Sequence, residues 1–210
     1  MIWALANDLL QRIVTLNKGH QRRNLSRLLQ ALPLAGGSKI LDFGCGTALF
    51  APVFRAHGLD YYGYDIDPRL LRYAERLYPN CTFVSDPGVL TTAAPFALIV
   101  ANCCFHHIHD EPLAVELERL HNLLADGGSF LLIDLVSERR EPWLRRMLMK
   151  LDQGVKVRAS VGYRRLLERH FIVDELTIWP QPSGPWPGNP LFLDLAICRC
   201  RKRRACDNPI

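Results

Sequence analysis

The segment from residue 38 to residue 48 constrains the fold of this chain more than any other. A short apolar run predicts a strand, and Gly44 and Gly46 follow it before helix-forming residues begin at Ala48. Glycines let the backbone turn tightly and let a ligand approach closely. Asp42 precedes them, which indicates a ligand with positive charge or hydroxyl donors. The segment therefore predicts a strand–turn–helix unit that binds a nucleotide-like cofactor.

Strand-like and helix-like segments alternate beyond this unit. Apolar runs predict strands at 39–43, 60–64, 81–85, 96–101 and 129–136, and helical spacing predicts helices at 47–57, 68–77 and 110–124. This alternation argues for an open, mostly parallel sheet with helices on both faces. Ligands of such sheets lie beyond the carboxyl ends of the strands. Polar residues fall at those ends: Asp42, Asp65, Asp86, Asn102 and Asp134.

The flanking regions have a looser pattern. Leucines at helical spacing predict two N-terminal helices, with a break at 17–20. The elements expected after residue 136 are helices at 141–151 and 163–170 and strands at 171–179 and 191–199. Five prolines within 180–190 exclude a central strand, so this segment is expected to be a stiff loop between two antiparallel edge strands.

Composition describes a globular chain. With 210 residues, 49% of them hydrophobic, the chain is long enough for one domain with a substantial core. No apolar run reaches the roughly 18 residues of a membrane span, and the N-terminus lacks the basic start of a secretory signal. Seven cysteines, an odd number, lie partly in strand-like runs, which indicates reduced thiols. A cytoplasmic protein without a metal site is expected.

The net charge of +5 comes from one cluster near the C-terminus. Its members are Arg199, Arg201, Lys202, Arg203 and Arg204. The other 21 basic residues balance the 21 acidic ones, so the basicity is interpreted as a property of a solvated tail. Contact with anionic lipid, nucleic acid or an acidic partner is the alternative.

Residues 40–48, Ile-Leu-Asp-Phe-Gly-Cys-Gly-Thr-Ala, resemble the first motif of class I S-adenosylmethionine-dependent methyltransferases. That motif has an acidic residue followed by Gly-x-Gly-x-Gly, and its third glycine is Ala48 here. The resemblance implies S-adenosylmethionine as the cofactor. The residues implied to bind it at this turn are Asp42, Gly44, Cys45 and Gly46. A dinucleotide-binding fingerprint would instead have glycine where Leu49 stands.

Later segments match the same family. Asp65, after the second strand, matches the acid that accepts hydrogen bonds from the ribose hydroxyls, and Ile66 would supply an apolar face for adenine. Asp86 matches the acid that recognises the adenine amino group. Asn102, after the fourth strand, is assigned to the same cofactor site.

Phe105-His106-His107-Ile108 resembles a segment common in family members that act on small molecules. His106 and His107 are candidate catalytic bases because imidazole titrates near neutral pH, and a structural role for each is the alternative. Residues 102–105, Asn-Cys-Cys-Phe, lack both prolines of the Asn-Pro-Pro-Phe/Tyr motif, which is typical of enzymes that methylate the amino groups of nucleic-acid bases or of glutamine. Stable nucleic-acid binding is therefore not expected.

The resemblance covers residues 36–200. It implies an α/β fold: a Rossmann-like, seven-stranded, mostly parallel sheet with an antiparallel last strand, helices on both faces and an N-terminal helical extension. The expected divisions are an extension or lid over 1–35, the methyltransferase domain over 36–200 and the basic tail over 201–210.

The expected reaction is methyl transfer to an oxygen, or less readily a nitrogen or carbon, of a small apolar or aromatic acceptor. Candidate pocket residues are Trp143, Met147, Met149, Tyr163, Trp179 and Trp186. One alternative is a non-catalytic scaffold that binds S-adenosylmethionine, motivated by Ala48. Another is an enzyme that acts on lipid or nucleic acid through the basic tail. A monomer or homodimer is expected, with peripheral membrane contact as a further candidate.

Overall fold

The computed structural model describes residues 19, 21–138, 156–179 and 194–203, and its centre is one seven-stranded sheet. The strands are β1 (Lys39–Phe43), β2 (Asp60–Tyr64), β3 (Thr82–Val84), β4 (Phe96–Asn102), β5 (Leu124–Val136), β6 (Phe171–Trp179) and β7 (Asp194–Lys202). The helices are α1 (21–30), α2 (Ala51–Ala56), α3 (Pro68–Leu77), α4 (Pro87–Ala93), α5 (Asp110–Leu123) and α6 (Ser160–Leu167), and a 3₁₀ turn covers Phe105–His107.

The strand order is β3-β2-β1-β4-β5-β7-β6. The first five strands pair in parallel, and β7 runs antiparallel to both of its neighbours. The expected fold class is confirmed, and α1 is the described part of the N-terminal helical extension. The expectation of two edge strands is wrong for β7, which lies between β5 and β6. Its consecutive buried residues from Leu195 to Cys198 suit a strand covered on both faces.

The direction in which strands are added reverses between β1 and β4. From β1 the chain builds outward through β2 to β3, and β4 then starts the other half of the sheet. The carboxyl ends of β1 and β4 therefore diverge into a crevice, which is where open α/β sheets bind their ligands.

Two helices begin at the carboxyl ends of strands with the same Asp-Pro signal. Asp67 caps α3 by accepting a hydrogen bond from the Arg69 amide, and Asp86 caps α4 in the same way from the Gly88 amide. Proline at the first helical position requires no amide donor there. The sequence predicted α3 correctly, whereas α4, only seven residues long, was missed.

Some boundaries differ from the sequence expectation. α2 begins at Ala51 rather than 47 because turns occupy 46–50. β5 follows α5 without the expected separate turn, and the glycines at 127 and 128 lie inside the strand. Gly127 adopts φ +77°, and the register with β4 shifts between Leu124 and Ser129. The turn is thus absorbed as a bulge. Gly19, placed in a break between helices, is helical.

The basic cluster is mainly part of the sheet, which corrects the assignment of its charge to a tail. β7 continues to Lys202. Arg199 pairs with Glu175 and Arg201 pairs with Asp174, each at 3.1 Å. The Lys202 ammonium donates to the Leu124 carbonyl at 2.7 Å. These contacts join strand β7 to β6 and to the start of β5.

Two hydrophobic clusters pack against the sheet. One contains Phe105, Phe130 and Phe171; the other contains Phe54 and includes Leu25 and Leu29 of α1, which are 1% and 3% exposed. α1 is therefore tied to the core by its apolar face. Among the described residues, every helix is too short or too polar to cross a bilayer.

Candidate functional site

The glycine turn after β1 is anchored to the end of β2. The amides of Gly44 and Cys45 both donate to the Tyr64 carbonyl, at 2.8 and 2.9 Å. Gly44 has φ +74°, and a Cβ there would lie 2.6 Å from the Cβ of Cys104, so any other residue would collide. Gly46 also has a positive φ, +54°, but a Cβ there would meet nothing within 4 Å. Glycine is thus needed for packing at 44 and leaves open space at 46.

Ala48 keeps the backbone geometry expected of the glycine it replaces. It has φ +56°, is fully buried, and its amide donates to the Cys45 carbonyl at 2.8 Å. A left-handed conformation costs an alanine roughly 1–2 kcal/mol. The substitution has therefore kept the shape of the turn at a small cost in stability.

Asp65 lies directly against the glycine turn. Its Oδ2 accepts a hydrogen bond from the Gly46 amide at 2.8 Å, and its Oδ1 accepts one from the Asp67 amide at 2.9 Å. An ionised carboxylate has about four acceptor positions, so two amide donors do not exhaust its capacity. Ile66, the next residue, is 85% exposed, the highest exposure among the large hydrophobic side chains of the described chain. A hydrogen-bond acceptor, Asp65, and an exposed apolar side chain, Ile66, are thus adjacent.

Asp42 is buried beneath the same turn. It is 3% exposed, and its Oδ2 accepts a hydrogen bond from the Tyr61 hydroxyl at 2.7 Å. Burial raises the pKa of Asp42 to about 7; the Tyr61 hydrogen bond opposes this rise and the Asp65 carboxylate adds to it. A cation bound nearby would favour the ionised form.

Asp86 and Asn102 complete the set at the strand ends. Asp86 is exposed, and it caps α4 because its Oδ1 accepts a hydrogen bond from the Gly88 amide at 2.8 Å. Asn102 is half-buried opposite Ile133 of β5. It borders a small cleft lined by Gln21, Asn24, Leu25, Asn102, Ile133, Trp179 and Leu195. α1 therefore faces the carboxyl ends of the central strands.

The two candidate histidines occupy different environments. His106 is 2% exposed, whereas His107 is exposed, and their ring centroids are 4.0 Å apart. The Nδ1 atom of His106 lies 2.5 Å from Oδ1 of Asp134, and the His106 amide donates to Oδ2 at 3.1 Å. Asp134 also accepts the Leu135 amide at 2.8 Å. Because Asp134 acts as an acceptor, we assign the shared proton to Nδ1, which makes Nε2 the basic nitrogen of a neutral His106.

Cys104 links the histidine segment to the glycine turn. Its thiol donates to the Phe43 carbonyl at 3.2 Å, and its Cβ fills the space that a side chain at Gly44 would need. Burial raises the pKa of Cys104 well above its usual range, so the thiol stays protonated. The histidines are thereby brought to the same crevice as the turn.

Sequence reasoning missed the groups that hold this segment. Asp134 was noted only as a polar residue at a strand end, and Arg158 and Asp110 were not noted. Arg158 is 6% exposed and donates to the carbonyls of Phe105 and Ile108. Nothing in the spacing of Arg158 distinguishes it from the other arginines, because its partners are about 50 residues away in the chain.

Among the predicted pocket residues, Tyr163 belongs to the core. It is 1% exposed, and its hydroxyl donates to the Leu135 carbonyl at 3.0 Å. Trp179 borders the cleft beside α1. Trp143, Met147, Met149 and Trp186 lie outside the described residues, as do the first predicted helix and the proline-rich loop.

Comparisons with known proteins relate the chain to methyltransferases. A family model described as a methyltransferase domain matches residues 17–170. An uncharacterized methyltransferase of Synechocystis is 29% identical over 147 residues, covering 68% of this chain and 66% of that protein. Ribosomal protein L11 methyltransferase of Cupriavidus taiwanensis is 31% identical over 133 residues, covering 58% of this chain and 42% of that protein. The chain thus spans less than two thirds of the length of these curated relatives.

Solved structures share the fold. The 1,6-didemethyltoxoflavin-N1-methyltransferase of Burkholderia thailandensis, with bound 1,6-didemethyltoxoflavin and S-adenosylhomocysteine, superposes with a TM-score of 0.64 at 22% identity, covering 87% of this chain and 78% of that one. Phosphoethanolamine N-methyltransferase 2 of Haemonchus contortus, in complex with S-adenosyl-L-methionine, gives 0.66 at 16% identity, covering 87% and 52%.

The residues at the crevice fit S-adenosylmethionine, which the sequence motifs imply and which is bound in the Haemonchus contortus structure. The open space before Gly46 accommodates a ligand against bare backbone. Asp65 could accept hydrogen bonds from the ribose hydroxyls, and the exposed side chain of Ile66 could pack against adenine. Asp42 supplies negative charge below the turn, suited to the positively charged amino-acid portion.

Proposed function

Because the chain belongs to the methyltransferase domain family, we propose that it transfers the methyl group of S-adenosylmethionine to a small apolar or aromatic acceptor. The observation that carries the proposal is the adjacency of three features: the open space at Gly46, the Asp65 carboxylate hydrogen-bonded to that glycine, and the exposed Ile66. When bound, the cofactor supplies an electrophilic methyl group on a sulfonium.

The residues then have separate binding roles. Asp65 would accept hydrogen bonds from the ribose hydroxyls, Ile66 would pack on adenine, and Asp86 would accept a hydrogen bond from the adenine amino group. Gly44, Cys45 and Gly46 present backbone to the amino-acid portion, with Asp42 providing charge from beneath and Asn102 closing the site at the end of β4. Alignment of donor and acceptor within such a crevice can supply roughly 7–11 kcal/mol of the barrier reduction in a displacement reaction.

We assign the two histidines to different tasks. His107 is exposed and takes the acceptor proton, whereas the buried His106 is fixed by Asp134 and supports the His107 ring from 4.0 Å. A base must be able to reach the substrate, which favours the exposed ring. A His107→Gln variant should then lose rate on hydroxyl acceptors while it still binds cofactor.

The acceptor enters beside α1. The cleft between Gln21, Asn24, Asn102 and Trp179 offers amide groups and an indole at the carboxyl ends of the strands. Its volume is about 10 Å³, so these residues border the approach of the acceptor and do not enclose it. The extension before residue 36 therefore contributes to the acceptor side. The acceptor class is supported by the similarity to a demethylmenaquinone methyltransferase of Chlorobaculum parvum, which is 29% identical over 147 residues and 61% covered.

A product assay tests the proposal. The release of S-adenosylhomocysteine is measured with phenols, hydroxyquinones and nitrogen heteroaromatics, and in parallel with RNA, a peptide and anionic vesicles. We expect turnover only with members of the small-molecule panel, lost in Asp65→Asn and kept in Asp60→Asn, which alters the opposite end of β2. Turnover confined to RNA, peptide or vesicles would overturn the acceptor class. Cofactor binding without turnover on any acceptor would favour a non-catalytic scaffold.

A further inference from the structure

One short segment, 156–158, binds the backbone carbonyls of the turn that carries the histidines. The Arg158 guanidinium donates from Nη1 to the Phe105 carbonyl at 2.8 Å and from Nη2 to the Ile108 carbonyl at 2.6 Å. Between them, the His106 carbonyl accepts the Lys156 amide at 2.8 Å. The two carbonyls that Arg158 binds bracket both histidines in the chain.

The Arg158 guanidinium is buried and neutralised. A buried cation is costly unless it is paired and hydrogen-bonded. Asp110, the first residue of α5, provides the pairing: its Oδ1 accepts from Nε of Arg158 at 2.9 Å and from Nη2 at 2.8 Å. Hydrogen bonds from Lys156 and Arg158 lower the pKa of Asp110, so its carboxylate is ionised at neutral pH. Arg158 is therefore fixed by its counter-ion as well as by the carbonyls.

The same segment is joined to the strand that carries Asp134. The backbone of Arg158 forms an isolated parallel β-bridge with Val136 at the end of β5, and the Ser137 amide donates a hydrogen bond to the Arg158 carbonyl at 3.1 Å. Asp134, two residues before Val136, binds the His106 ring and amide. The end of β5 thus holds the histidine turn at two places, the ring through Asp134 and the backbone through Arg158.

We propose that Arg158 is a positioning residue that fixes His106 and His107 at the crevice. A guanidinium presents several donors in one rigid plane, so it can bind two carbonyls and a carboxylate at once, which a lysine cannot do. The effect on rate rests on the function proposed above. The positioning itself is a property of the cofactor-free chain and can be measured without turnover.

The test compares Arg158→Lys and Arg158→Met with Arg165→Met, which removes an exposed arginine from α6. The ring resonances of His106 and His107 are recorded by NMR in the cofactor-free protein, and S-adenosylhomocysteine affinity and kcat are measured on the same samples. We expect the His106 ring signals to shift in both Arg158 variants and kcat to fall about 10- to 100-fold. Cofactor affinity should stay within about threefold, since the groups proposed to bind it are unchanged, and Arg165→Met should match wild type.

Unchanged histidine resonances in Arg158→Lys, together with wild-type kcat, would overturn the proposal. A parallel loss of cofactor affinity and kcat would also overturn it, because that pattern indicates general structural damage. If Arg158→Met fails to fold, the double variant Arg158→Met with Asp110→Asn takes its place in the comparison, because it also removes the carboxylate that would be left paired with Lys156. If the wild type transfers no methyl group, the proposed function fails, while the resonance comparison still decides the positioning role.

Discussion

The amide of Gly46 donates a hydrogen bond to Oδ2 of Asp65 at 2.8 Å, which joins the turn after β1 to the end of β2. These residues are 19 apart in the chain and come together because β1 and β2 pair in parallel and in register, Asp42 opposite Gly63 and Phe43 opposite Tyr64. The bond sets the carboxylate beside the open space at Gly46. The cofactor site proposed above therefore depends on two strand ends acting as one unit.

Alanine should have different effects at the two glycines of the turn: at Gly44 it should mainly lower folding stability, and at Gly46 it should mainly weaken cofactor binding. Gly44→Ala forces a Cβ to 2.6 Å from Cys104, so we expect at least about 2 kcal/mol of destabilisation from overpacking and backbone strain. Gly46→Ala meets only solvent space, so the strain of about 1 kcal/mol should remain while the new methyl obstructs the cofactor. Urea unfolding and calorimetric titration of each variant separate the effects. Equal loss of stability in both would contradict this account.

Ala48 should tolerate glycine and reject valine. Ala48→Gly relieves the strain of φ +56° but deletes a buried methyl worth about 0.8 kcal/mol, so the stability change should stay within about 1 kcal/mol. Ala48→Val adds a β-branched side chain to a fully buried left-handed position and should cost about 2 kcal/mol or more. Cofactor affinity within about threefold of wild type in Ala48→Gly would show that the missing glycine does not limit binding; a tenfold gain would show that it does.

Cofactor affinity should rise with pH between about 6 and 8. In the free protein burial raises the pKa of Asp42 to about 7, so below that pH the side chain is mostly neutral. The positively charged cofactor favours the ionised form of Asp42, so binding is weaker below about pH 7, where Asp42 must first lose a proton. Calorimetry in buffers of different ionisation enthalpy should detect proton release on binding. Asp42→Asn should bind more weakly and remove this slope, and a slope that persists in the variant would exclude Asp42 as its source.

Asp134→Asn should slow turnover while leaving cofactor binding within about threefold of wild type. The amide preserves shape but no longer holds the proton on Nδ1 of His106, and the buried ring loses its charged partner. We expect kcat to fall by about tenfold or more, from loss of a hydrogen bond to a charged group. Steady-state assays give kcat, and single-turnover measurements at saturating cofactor report the methyl-transfer step itself. A wild-type rate in a folded Asp134→Asn protein would rule out a contribution of the pair to catalysis.

The sequence was most informative where local rules decide the structure. The Asp-Pro start of α3, the apolar runs of β1, β2 and β4, and the glycines at 44 and 46 each act over a few residues, and their placement followed from the pattern. The same rules failed for α4, whose seven residues give no extended periodicity. They predicted β7 as a strand but placed it at an edge of the sheet, whereas it pairs on both sides.

The partners of the candidate site were beyond reach of the sequence because they depend on tertiary contacts. Pairs such as Asp134 with His106 and Arg158 with Asp110 join residues 28 and 48 positions apart. His106 and His107 are adjacent in the chain but lie in opposite environments, because the His106 ring is buried against Asp134 of β5 whereas His107 is exposed. No spacing rule distinguishes them.

The most direct test of the account is the affinity of the chain for S-adenosylmethionine when Asp65 is changed to Asn, measured by calorimetry beside the Asp60→Asn control. Hydrogen bonds to a charged acceptor contribute about 1.5–3 kcal/mol each, so Asp65→Asn should weaken binding by at least about tenfold. Asp60→Asn, at the other end of β2, should bind like wild type. Equal affinity in wild type and Asp65→Asn would contradict the placement of the cofactor at this turn.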